Sequence, residues 1–181
     1  MNIIINDSLY LESNHISQAE ENYLLICNNR TYLKQWLTWV DRIQTIEEFK
    51  NFINASIIKA EQYTDYGFVI KSNGKIIGRI GIHFIDNQHK IGSIGYWISE
   101  DFQGKGIINQ SCKAIIKFAF TELGINRIKI KCAVKNLKSK AIPEKLNFKQ
   151  EGILRQAEFI NENFHDLYLY SLLRDEWVSD L

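Results

Sequence analysis

Between residues 91 and 123 the hydrophobic period changes once, and the change takes place across a glycine-rich turn. Ile91 to Ile98 reads as a strand. From Ile107 the apolar residues Ile108, Cys112, Ile115, Ile116, Ala119, Phe120 and Leu123 fall on one stripe at the helical period, and Gly124 stands where such a helix stops. The joining residues end in Gln103-Gly-Lys-Gly106, so a strand is delivered through a flexible turn onto a helix N-terminus. There the first backbone N–H groups lack helical partners and the helix dipole is positive, which favours an anionic guest such as phosphate. Gly104 and Gly106 let the backbone come close to that guest, and Lys105 adds a charge. The turn is no P-loop, since G-x-x-x-x-G-K followed by Ser or Thr is absent. Nor is it a dinucleotide fingerprint, since G-x-G-x-x-G is absent and the preceding strand belongs to an antiparallel meander.

The flanking segments predict the remaining elements. Ile3 to Leu11 reads as a short strand or strand pair. Ser17-Gln-Ala-Glu20 has the form of a capping box before a helix, and Thr45-Ile-Glu-Glu48 opens another that runs to about Glu61. Tyr32 to Val40, with Trp36 and Trp39, predicts an aromatic-rich helical piece. Three antiparallel strands follow over 66–98, the first two joined at Asn73-Gly74, a pair that tolerates positive φ. After the central helix come a half-buried strand at Ile128 to Val134 and a short helix from Ser139 to Leu146 closed by Asn147. Strands at Ile153 to Phe159 and Phe164 to Leu173 complete the chain. At 181 residues without a linker, repeat or low-complexity tract, residues 1–181 are expected to form one α+β domain.

Charge narrows the partners. The net +1 of the whole chain argues against a general nucleic-acid footprint. Residues 124–149 nonetheless carry +7, between segments of −4 (1–66) and −5 (150–181). The basic segment suits an anionic ligand and the acidic flanks a cationic one, although the lysines also fit the wet face of a strand and helix. No stretch is long and apolar enough for a membrane helix, and the first ten residues lack the charge pattern of a secretory leader. Cys27, Cys112 and Cys132 are far apart, and the four histidines form no metal-ligand spacing. A reduced, cytoplasmic, metal-free protein is expected. Oligomeric state is not legible.

Taken together, the Gln103-Gly-Lys-Gly106 turn, Asn136-x-x-Ser139 and Glu144-Lys-Leu-Asn-Phe148 resemble the GNAT superfamily of acyl-CoA-dependent N-acetyltransferases. Tyr32-x-x-x-Trp36-Leu-x-Trp39, Ala141-Ile-Pro-Glu-Lys-Leu146 and Glu151-Gly-x-Leu-Arg-Gln-Ala-Glu158 resemble its RimJ/RimL group, the ribosomal-protein N-terminal acetyltransferases. The resemblance implies a single mixed, mostly antiparallel sheet of about seven strands, splayed in the middle, with helices on both faces. It implies acetyl-CoA as co-substrate, its pyrophosphate on the amides of Gln103, Gly104, Lys105, Gly106 and Ile107. The pantetheine arm pairs like an extra strand with Tyr96, Trp97 and Ile98, and Asn136 holds the pantetheine or the splay.

The resemblance also implies catalytic roles. Glu158 is the base that prepares the amine, directly or through a water, and the Ile98 N–H holds the oxyanion. Where the superfamily has a tyrosine that protonates the departing thiolate, this chain has Pro143, and that role falls to Ser139 or to a water. A further departure is Ile108 in place of a small residue. Read without the family, Ser139 is a helix N-terminal serine and Glu158 an ordinary strand glutamate. Trp36 and Trp39 line an acceptor groove or sit in the core. Three functions remain open: acetylation of a protein N-terminus, acetylation of a small amine (polyamine, aminoglycoside or amino-acid analogue), and non-catalytic coenzyme A binding.

Overall fold

The fold is seen in a computed structural model that describes residues 1–177. Its strands are β1 (Asn2–Ile4), β2 (Leu9–Ser13), β3 (Tyr66–Ser72), β4 (Lys75–Asp86), β5 (Ile91–Ile98), β6 (Arg127–Ala133), β7 (Lys149–Ile160) and β8 (Asn163–Leu173). The helices are α1 (Ala19–Asn28), α2 (Arg30–Leu33), α3 (Ile46–Glu61), α4 (Ile107–Thr121) and α5 (Leu137–Lys145). One sheet runs in the order β1-β2-β3-β4-β5-β6-β8-β7, with every neighbouring pair antiparallel except β5 and β6. Eight strands therefore replace the expected seven, because the first segment forms a complete pair and not a single strand.

Alternation along β5 divides the interior between the two faces. Ile94 and Ile98 pack with Cys112, Ile115, Ile116 and Ala119 of α4, so the stripe seen in the sequence is the buried face of that helix. Ile108 is part of it, which explains the absence of a small residue there. On the opposite face Trp97 joins Ile26, Leu33, Phe49 and Ile53 from α1, α2 and α3.

Local chemistry sets the element ends. Thr45 and Glu48 form the expected capping box, and both Asn73 (φ 49°) and Gly74 (φ 79°) take positive φ at the hairpin. Asn147 (φ 59°) closes α5 as expected. Two expectations need correction. The expected Ser17–Glu20 capping box is absent: the chain enters α1 through a turn of 3-10 helix at Ile16–Gln18, which is capped by the His15 ring and Gln18, and α1 itself has no side-chain cap. The 32–40 segment is not one helix. Only Arg30–Leu33 is α-helical, and the Arg30 guanidinium donates to the carbonyls of Val40 (2.6 Å) and Ile43 (2.7 Å), holding the following loop folded back. From that loop Trp39 packs into the core and Trp36 borders the cleft described below.

Near the other end, β7 carries an extra residue at Glu151. That bulge lets Glu151 reach across β8, where it accepts from both terminal nitrogens of Arg127 on β6 and from Ser171 Oγ at 2.8 Å. These donors hold its carboxyl down from 4.5 to about 2. A depressed folded pKa means stabilisation that is complete above the usual carboxylate pKa and lost as pH falls through about 2. Glu151→Gln should therefore lower the melting temperature at pH 7 and leave it unchanged near pH 2, as followed by circular dichroism.

Candidate active site

The parallel pairing of β5 with β6 covers only Ile91–Ser93 against Arg127–Lys129. Beyond it β6 stays with β8 as far as Ala133, while β5 stays with β4 as far as Ile98, so a wedge opens between them. The Ser99 N–H donates to the Ile77 carbonyl at 2.8 Å. Hydrogen-bonded and non-hydrogen-bonded pairs alternate along an antiparallel ladder, so the backbone groups of Ile94, Tyr96 and Ile98 point away from β4 and into the wedge. This edge can accept one more extended chain.

The wedge widens into a cleft of about 660 Å³. At one end lies the turn before α4, where Gly104 (φ 71°) and Gly106 (φ 73°) both hold left-handed backbone. Gly106 is the N-cap and has no side chain to satisfy the first helical N–H groups. The Gln103 side chain lines the cleft with its Oε1 taken by Lys138 (2.6 Å) and its buried Nε2 without a partner. Lys131, Lys138 and Lys145 add positive charge along the walls. Unsatisfied amides, an orphaned amide nitrogen and three cations together match a phosphate-bearing ligand.

The wall beyond β6 is α5. Asn136 caps it, its Oδ1 accepting from the Ser139 N–H at 3.1 Å. The Tyr96 hydroxyl donates to the Ser139 carbonyl at 3.0 Å, and Ser139 Oγ reaches the same hydroxyl at 3.4 Å. Burial pushes the Tyr96 phenol well above the usual tyrosine pKa, so it keeps its proton. Cys132 also lines the cleft, its thiol pushed up to about 11 by burial, and is not a thiolate at neutral pH.

At the other end Glu158 faces an aromatic wall made by Tyr32, Trp36 and Trp97. A second irregularity in β7 carries it there: Leu154 pairs with Leu167 but Glu158 with His165, so β7 holds two extra residues. Gln156 sits in the bulge at φ 50°, and its N–H donates to Asp166 Oδ1 at 2.8 Å. Burial raises the Glu158 pKa, partly offset by His165 and Lys131. The tip of the β7–β8 hairpin meets the loop after α2 through one exposed bond, Asn161 Nδ2 to the Lys34 carbonyl (3.3 Å).

Most residues singled out in the sequence thus border one cleft: Tyr96, Trp97, Ile98, Gln103, Gly104, Gly106, Ile107, Asn136, Ser139, Trp36 and Glu158. Lys105 and Trp39 do not. The Lys105 ammonium lies 4.7 Å over the Phe102 ring, and Trp39 stacks on Phe52 and leans on Trp97 within the α1–α3 core. Tyr32, Lys131, Cys132, Lys138 and Lys145 had not been singled out individually. For the lysines the +7 segment is the signal and for Tyr32 the motif it opens with Trp36; for Cys132 there is none, since it reads as core. No cluster of His, Cys, Asp or Glu able to hold a metal occurs among the described residues, and no helix among them is long and apolar enough to cross a membrane.

The family described as "Acetyltransferase (GNAT) domain" matches residues 10–149. The ribosomal-protein-serine acetyltransferase of Escherichia coli (strain K12) is 32% identical, over 96% of this chain and 97% of its own. Among solved structures, the ribosomal L7/L12 α-N-protein acetyltransferase RimL, captured with coenzyme A in disulfide linkage to a cysteine, superposes with a TM-score of 0.94 at 28% identity. That match covers 98% of this chain and 100% of RimL. The microcin C7 self-immunity acetyltransferase MccE, in complex with acetyl-CoA and AMP, does so with 0.88 at 33%, over 93% and 94%.

The anion-binding turn makes a direct prediction. Acetyl-CoA should raise the melting temperature of the wild-type protein by mass action. Gly106→Asp, which sets a carboxylate against the phosphates at a left-handed position, should abolish that shift. A folded variant whose shift matches wild type would remove this turn from the binding site.

Proposed function

Because the chain belongs to the GNAT acetyltransferase family and is an acetyl-CoA-dependent N-acetyltransferase, we propose that its acceptor is a protein N-terminal α-amine, with a ribosomal protein beginning in serine as the acceptor class. The observation that carries this reading is Glu158, a half-buried carboxyl of raised pKa on a cleft wall opposite the open edge of β5. An α-amine, with a pKa near ~8, asks less of such a base than a lysine near ~10.4. The names of the 32%-identical and 28%-identical relatives support the same acceptor. MccE, at 33% identity, favours a second reading in which a small amine is the acceptor.

In this mechanism the amides of Gly104 to Ile107 hold the pyrophosphate and the backbone of Ile94, Tyr96 and Ile98 pairs with the pantetheine arm. The thioester then lies in the wedge, its carbonyl oxygen toward the Ile98 N–H, which stabilises the oxyanion. Glu158 attracts the ammonium ion and takes its proton, directly or through a water, and the free amine attacks the thioester carbon. Collapse of the tetrahedral adduct breaks the C–S bond as Ser139 Oγ, or a water, gives a proton to the departing thiolate, and the second proton of the adduct nitrogen passes through solvent to replace it. Attack is direct, and Cys132, the thiol on the cleft wall, stays protonated and carries no acyl group.

Glu158→Gln should lower kcat roughly 10²- to 10⁴-fold at neutral pH. The deficit should shrink as pH approaches ~8 for an α-amine acceptor, because the amine then loses its proton unaided. A small deficit that is flat with pH would remove Glu158 as the base. Ser139→Ala should lower kcat on the order of 10²-fold with the KM for acetyl-CoA little changed. The acceptor itself is decided by a radiolabelled acetyl-CoA screen that sets serine-initiated ribosomal-protein peptides against spermidine, an aminoglycoside and an amino-acid analogue. Label on the peptide α-amine is the expected result; label only on small amines would overturn the N-terminal assignment.

A further inference from the structure

The helix α5 has a gap in its backbone ladder at the residue the chemistry depends on. Pro143 lies four residues after Ser139 and has no N–H, so it cannot close the helical turn on the Ser139 carbonyl. The Ser139 N–H has no partner inside the helix either, since it lies in the first turn. Both groups are instead held by side chains. Asn136 Oδ1 takes the N–H from below, and the Tyr96 hydroxyl donates to the carbonyl from across the wedge. Tyr96 belongs to the stretch of β5 whose backbone faces the wedge. Its phenol therefore ties α5, on one arm of the splay, to the strand edge on the other.

We propose that Tyr96 is a positioning residue for acetyl transfer: its hydroxyl supplies the hydrogen bond that Pro143 cannot, and so fixes Ser139 Oγ relative to the open edge of β5. The proposal rests on the catalytic reading of Ser139 given above. The geometry explains why a phenol stands at this point of β5. A phenyl ring would fill the same volume, and only the hydroxyl reaches the helix. It also gives the proline a place in the site. With an N–H at position 143 the carbonyl would be taken within the helix, and the link between the two arms would be lost or weakened.

Tyr96→Phe keeps the ring and removes the bond, and Pro143→Ala returns an N–H to the helix in its place. Two readouts separate the hydrogen bond from the chemistry. The first is amide hydrogen exchange over residues 137–142 in the full chain, which needs no acceptor. Tyr96→Phe should speed exchange there, and adding Pro143→Ala should restore protection. The second is acetyl transfer from acetyl-CoA to the peptide that passes the screen above. Tyr96→Phe should lower kcat roughly tenfold to 100-fold through misplacement, with the KM for acetyl-CoA within about twofold, and Pro143→Ala in the same chain should restore protection without restoring kcat, since a bond inside the helix does not rebuild the tie to β5. Unchanged exchange in Tyr96→Phe would overturn the proposal outright. Altered exchange with an unchanged kcat would also overturn it, and Ser139→Ala then says why. If that variant is slow, Ser139 acts without Tyr96; if it is as fast as wild type, the catalytic reading of Ser139 has failed instead. Pro143→Ala alone, which draws the carbonyl back into the helix with the phenol intact, should lower kcat as well; a wild-type rate in that variant, or a double variant whose kcat recovers with its protection, would overturn the tie between the two arms.

Discussion

Backbone amides and carbonyls inside a protein must find partners, and the wedge between β5 and β6 is where this sheet leaves that requirement open. The parallel pairing ends at Ser93 and Lys129, yet β5 continues for five more residues with Ile94, Tyr96 and Ile98 presenting their backbone to the gap. Everything around the site follows from that departure. The two arms can separate only because each is secured on its far side, β5 by β4 and β6 by β8. The glycine turn sits at the end of β5 because the strand leaves the sheet there and runs directly into α4. The helix α5 lies beside the gap because β6 ends at Ala133 without crossing back. A substrate with an extended amide-bearing arm and a phosphate head completes both the ladder and the turn, so its recognition is built from backbone geometry more than from particular side chains.

That division explains what could be read from the residues. Features governed by local rules were legible: the α4 stripe, the Asn73-Gly74 hairpin, the Thr45 capping box and the glycine turn all depend on neighbours within a few positions. Helix type after Arg30 was not, since the loop from Lys34 to Ile43 is held by two long-range bonds from one guanidinium. Nor was the entry into α1, where a histidine ring caps the preceding turn of 3-10 helix in place of the expected serine. Within the site, motif positions came together as expected, while the reach of single side chains did not. Lys105 turns back onto Phe102 and Trp39 into the core because aromatic contact outweighs exposure at both places. The bulge at Gln156 was invisible, since no residue in Arg155-Gln-Ala157 marks a left-handed position. Its cause is Asp166 on the neighbouring strand.

Tyr32 and Trp36, two of the three rings that line the cleft with Glu158, and the hairpin that carries Glu158 come from segments more than a hundred residues apart in the chain, joined at the rim by one exposed hydrogen bond, Asn161 to Lys34. The parts proposed to meet the phosphates and the pantetheine arm lie elsewhere, on β5, the glycine turn and α5. Inheritance can therefore treat the two halves separately. Replacements in the loop after α2 or at the hairpin tip alter the shape presented to an acceptor without disturbing the strand edge or the α4 core, and so meet little resistance from folding stability. A lineage built on this plan can exchange one amine for another by drift at its rim while its use of the acyl donor stays constant.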